Sequence, residues 1–219
     1  PTTRTPFEIT ENPLRTVLSA AAVAVALALT ACGAPAAEES VTPEPAASTS
    51  ADAAAKDSFP VEVKHALGTT TIESEPVRVA TWGWGSTEVA IALVVFPVAV
   101  AEQSWTVGEG NLLPWVEAAY DEAGAEKPVV LTDADGGATF PYEEVIAADP
   151  DLILAPYSGL TQEQYDTLTE IAPTVAYPGA PWTTTWQDTI SISARALGRT
   201  AAGAAHHTAK DTTHAPKKS

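Results

Sequence analysis

Five aromatic residues lie in short stretches that follow apolar runs: Trp82, Trp84, Trp105, Tyr157 and Trp182. Small or hydroxyl-bearing residues accompany them, notably Gly83, Ser104 and Ser158. Ring faces with a few hydroxyls suit a large, flat, partly polar organic ligand. Acid–base or nucleophilic chemistry is poorly served. A serine hydrolase needs a base beside its nucleophile. The chain has no Gly-x-Ser-x-Gly elbow, and no histidine between His65 and His206. Only carboxylates could act as a base there, and Glu143 and Glu144 are helix neighbours whose side chains diverge. No catalytic residue is assigned.

Phosphate and metal chemistry fare no better. Gly83 and Gly85 fit a Gly-x-Gly-x-x-Gly turn, but Glu88 takes the third place. A small residue is needed there for helix packing, and a carboxylate would repel a pyrophosphate. Asp133 and Asp135, beside Gly136 and Gly137, are a fragment of a calcium loop without its other ligands, and read better as a solvated turn. His206, His207 and His214 offer weak chelation only. No protein metal site and no cofactor is therefore expected. A net charge of −17 over 219 residues argues against nucleic acid and anionic membrane surfaces as partners.

These aromatics must be positioned by the elements before them. Residues 143–159 give the pattern: a helix, a proline stop, the unalternated run Leu152-Ile153-Leu154, then Pro156-Tyr157-Ser158-Gly159. The run predicts a strand covered on both faces, and its carboxyl end is where open α/β sheets hold ligands. Pro150 is expected to stop the helix and to push Asp149 into an extended conformation. Similar strands are predicted at Pro76–Ala80, Pro97–Val100, Val129–Leu131 and Val175–Tyr177. Helices are predicted from Ser86, as cap, to Val95; from Leu112 to Glu122; from Thr161, with Gln164 completing a capping box; and from Trp186 to Leu197. Trp186 is read as core. Alternation around Gly68 predicts a β-hairpin. The fold class is α/β: a mainly parallel sheet with helices on both faces, plus an amino-terminal hairpin.

The flanks read differently. Arg15, the apolar run Val17–Leu29 and Leu29-Thr30-Ala31-Cys32 resemble a bacterial lipoprotein signal, with Cys32 the lone cysteine and the lipidation site. The domain reading is upstream residues and signal peptide over 1–31, lipidated cysteine and disordered tether over 32–57, and a ligand-binding lobe over 58–199. Residues 200–219 hold three of the four histidines and no apolar periodicity. They read as neither linker nor helix continuation, and out-of-frame translation is expected there.

From Phe59 to Arg199 the chain resembles the substrate-binding proteins of ABC importers for ferric siderophores, haem and cobalamin. The resemblance is carried by residues 67–72, 76–79 and 82–88, by 143–155 with Pro150-Asp151-Leu152-Ile153-Leu154, and by Ile171-Ala172-Pro173-Thr174-Val175. It implies two α/β lobes with ligand between them and iron kept inside the chelate. Chelators would lie against Trp82, Trp84, Tyr157 and Trp182. Glu143 would dock on the ABC permease by a salt bridge. The protein would be a monomer, lipid-anchored at the extracytoplasmic face of the membrane. Val94 departs from the family's usual glycine, where a left-handed turn would strain a β-branched residue. The second lobe is missing, so a truncated or frameshifted receptor is expected. The expected function is capture of a ferric siderophore for import. The alternatives are haem or cobalamin binding, a secreted α/β hydrolase acting through carboxylates, and a lobe that binds nothing.

Overall fold

The computed structural model describes residues 56–103 and 111–214. Cys32, the signal segment and most of the tether lie outside the described residues, as do Ser104 and Trp105. A hairpin of β1 (Val61–His65) and β2 (Gly68–Ile72) precedes a five-stranded parallel sheet. Its strands are β3 (Val79–Thr81), β4 (Ala99–Ala101), β5 (Val129–Leu131), β6 (Leu152–Leu154) and β7 (Thr174–Val175), in the order β5-β4-β3-β6-β7. The helices are α1 (Ser86–Ala92), α2 (Pro114–Ala123), α3 (Tyr142–Ala148), α4 (Gln162–Thr169), α5 (Trp186–Ala196) and α6 (Thr200–His214).

The sheet is covered on both sides, as the apolar runs predict. Ile153 packs with Ala80, Val145 of α3 and Leu168 of α4. Leu152 and Leu154 face the other way, with Leu93 below α1, Ile192 of α5 and the hairpin's Val63 and Ile72. All three β6 side chains are buried. Alternate faces of one short strand thus seed two cores. The capping box of α4 forms: the Gln164 backbone N–H donates to Thr161 Oγ1, and the Thr161 N–H to Gln164 Oε1.

Three local expectations are corrected. Ser86 is not a cap. Gly85, left-handed at φ 73°, takes that place, and the Ser86 hydroxyl donates to the Trp82 carbonyl at 2.9 Å. Asp149 is left-handed rather than extended, at φ 50°. The following proline disfavours only the right-handed region, and an Asp tolerates the left-handed one. The Arg78 guanidinium then satisfies the α3 end, donating to Ala148 O at 2.5 Å and Asp149 O at 2.7 Å. Residues 200–214, read as no helix continuation, are helical. Alanine favours helix strongly. The packing face of α6 is small: a Cβ at Gly203 would stand 2.6 Å from that of Ala194 on α5. Close backbone approach replaces the large apolar residues that would show a period. Asp57, assigned to the tether, accepts the Thr200 N–H at the start of this helix.

α1 stops at Ala92 rather than Val95 because Val94 turns left-handed, at φ 61°. Its side chain is 76 % exposed, so strain there is not offset by burial. Val94→Gly should stabilise the fold by about 1 kcal/mol, the strain relieved less the entropy a glycine adds to the unfolded chain. An upward shift in urea midpoint at constant slope would show it.

Candidate functional site

The strand order reverses direction between β3 and β6, and the loops leaving their carboxyl ends bound a crevice. Such a switch point is where open α/β sheets bind ligands. Two backbone hydrogen bonds lock these loops together. Trp82 N–H donates to Leu154 O at 2.8 Å, and Trp84 N–H to Tyr157 O at 3.1 Å. Gly83 permits the second. It is left-handed at φ 79°, and a Cβ there would overlap the Tyr157 carbonyl oxygen and lie 3.0 Å from its carbon.

Three predicted aromatics converge. Trp182 packs edge-on to Tyr157 at 5.8 Å and to Trp84 at 6.3 Å between ring centroids. Trp84 is 53 % exposed and Trp182 41 %, with Tyr157 half-buried, so ring surface is left open to a ligand. Trp182 is left-handed at φ 59°, held by its N–H bond to Ser158 O. Its indole packs against Gly159, where a Cβ would overlap Nε1 and come within 2.7 Å of Cε2. Backbone strain of this kind persists where surroundings over-determine it, often at binding sites. A cavity of about 340 Å³ is lined by Trp84, Asp133, Gly136, Tyr157 and Trp182. A second, of about 450 Å³, lies across Trp84, against Glu88, Val89, Trp186 and Ile190.

Two of the expected site residues are largely withdrawn from solvent. Trp82 is 2 % exposed and tilts on Phe140 at 4.4 Å. Its bond to Leu154 continues β3 by one residue, so its ring falls on the Ala80 side, inside the core. It touches only a smaller compartment of about 190 Å³, shared with Gly137, Gln164 and Trp182. Ser158 is fully buried, and its hydroxyl donates to Ala155 O at 2.8 Å. It shapes the turn and presents no group to a ligand. Trp186, read as core, is 39 % exposed and stands against His207 at 5.7 Å.

Asp133 and Gly136 are the residues that sequence reasoning set aside. Asp133 Oδ1 accepts the Gly137 N–H at 2.6 Å, and Asp135 Oδ1 the Thr139 N–H at 3.0 Å. Burial pushes the Asp133 carboxyl above its ordinary range, and the Gly137 N–H offsets that in part. Asp135 is held below its ordinary value, chiefly by the Thr139 backbone N–H. Both belong to a hydrogen-bonded turn, but only Asp135 is solvated as the sequence suggests; Asp133 is buried. Their place just after β5, at the same sheet edge as the aromatics, was the signal that marks Asp133 as a wall. Gln164 Nε2 ties α4 to this turn through Gly137 O at 3.0 Å. Glu143 is exposed at the start of α3, whereas Glu144 is committed to the Thr132 N–H and hydroxyl at 2.7 and 2.8 Å.

Residues 79–216 match the sequence profile of the periplasmic binding protein family, and the chain belongs to that family. Its members bind substrates rather than transform them. Solved structures agree. Streptococcus pneumoniae PiaA in complex with ferrichrome is 36 % identical, with a TM-score of 0.64 over 69 % of this chain and 49 % of its own. A periplasmic solute binding protein from Mycobacterium smegmatis is 34 % identical, with 0.61 over 69 % of this chain and 51 % of its own. Staphylococcus aureus SirA complexed with staphyloferrin B is 30 % identical, with 0.56 over 69 % of this chain and 47 % of its own. The chain thus spans about half the length of these proteins. No curated protein matches it.

Proposed function

We propose that this lobe supplies one wall of a ferric-siderophore receptor, which captures the chelate and delivers it to an ABC permease. The observation that carries this is the exposed Trp84–Tyr157–Trp182 cluster at the sheet's switch point. The similarity to ferrichrome-bound PiaA supports the same ligand class. Iron stays within its chelator, so the lobe binds the organic envelope and performs no catalysis. Glu143 is offered on the surface for permease docking, and Cys32 is the lipid anchor that holds the receptor at the extracytoplasmic face of the membrane.

Titration of the chain with ferric trihydroxamates, read by calorimetry and by tryptophan emission, tests this. Binding should be saturable, and Trp84→Ala should weaken it about tenfold, the worth of one lost aromatic face. Since Trp84 is mostly exposed, the variant's melting temperature should stay near that of the parent chain. Absence of saturable binding by any ferric chelate would refute the proposal.

A further inference from the structure

Granting the siderophore-binding role proposed above, we infer that this lobe selects ferric chelates that are neutral or cationic and disfavours polyanionic ones. Among the described residues the crevice carries charge of one sign. Asp133 and Glu88 are the charged residues that line its three compartments there, and no described lysine, arginine or histidine lines them. Asp133 is 8 % exposed and pinned by the Gly137 N–H, so its carboxylate cannot swing out to water as a ligand approaches. The carboxylates of Asp135 and Glu102 both act on Asp133 in the repulsive sense.

Five described cations are engaged elsewhere. Arg78 closes the α3 terminus, Lys56 and Arg199 pair with Glu75 at 2.7 and 3.0 Å, Arg195 donates to the Glu62 carbonyl, and Lys127 pairs with Asp121 at 2.7 Å. Lys64 lines a separate pocket with Glu62 and Asp188. Aromatic faces beside a poorly hydrated carboxylate attract cations and repel anions. A neutral chelate is spared the repulsion and keeps the ring contacts. A trianionic chelate meets Asp133 with no counter-charge from this wall.

The test is calorimetric titration of the chain with three ferric complexes. They are a trihydroxamate with a cationic amine arm, a neutral cyclic trihydroxamate and a trianionic tris-catecholate. At low salt the first two should bind at least about tenfold more tightly than the third, with the gap narrowing as salt rises. Combining Asp133→Asn with Glu88→Gln should shift the ratio of trianion to neutral affinity about tenfold towards the trianion. Asn can keep the acceptor for the Gly137 N–H, and a thermal melt checks that the turn survives. Equal affinity for trianion and neutral chelate in the parent chain would overturn the selectivity and leave the proposed function standing. An unchanged ratio in the double variant would overturn the assignment to these two carboxylates. Failure of all three chelates to bind would instead defeat the binding role itself.

Discussion

Gly83→Ala should destabilise the lobe by about 3 kcal/mol, lowering its melting temperature by about 10 °C. The added methyl overlaps the Tyr157 carbonyl oxygen, and a backbone atom cannot rotate away. Relief requires parting the loops after β3 and β6, which breaks the bond from Trp84 N–H to Tyr157 O. Gly85 is the internal control. It is left-handed to nearly the same degree, at φ 73°, but a Cβ there meets nothing within 4 Å. Gly85→Ala should therefore cost only the conformational strain, about 1 kcal/mol. The difference between the two melts isolates the steric part. Equal losses would mean that loop contact contributes nothing and that Gly83 is retained for its backbone angle alone.

Gly159→Ala should act on binding instead. The new Cβ displaces the Trp182 indole from the seat where it meets Tyr157 and Trp84. Because Trp182 is 41 % exposed, the ring can swing into solvent and the fold should lose only about 1 kcal/mol. Affinity for a ferric trihydroxamate should fall about tenfold or more, as for Trp182→Ala. The two substitutions remove the same contact, so their combination should cost no more than either alone. Additive losses would show that Gly159 affects the crevice by a route independent of the indole.

The contrast between Trp82 and Trp84 shows how far the sequence reached. Both were legible as residues at the carboxyl end of a strand, and so near the ligand edge. Which of them faces the crevice depends on where β3 stops bonding to β6. One further ladder bond sends Trp82 into the core on Phe140 and leaves Trp84 open. Asp133 shows the converse. Its spacing to Gly136 and Gly137 correctly indicated a turn, yet its importance lies in facing Trp84 and Trp182, far away in sequence. The helix over 200–214 was missed for a third reason. Its contact with α5 uses the missing side chain of Gly203 against the small methyl of Ala194, which leaves no stripe of large apolar residues to read.

Sequence alone determined the α/β class, the five strands of the sheet, the hairpin and the loop set from which the site is drawn. Apolar runs, prolines and caps are local signals, and each constrains the few residues around it. Tertiary structure alone decided the strand order, the switch point between β3 and β6, and the membership of the aromatic wall. Those depend on which strands hydrogen-bond to which, and on the direction in which the last ladder bond turns each ring. They are long-range facts, carried by no single stretch of the chain.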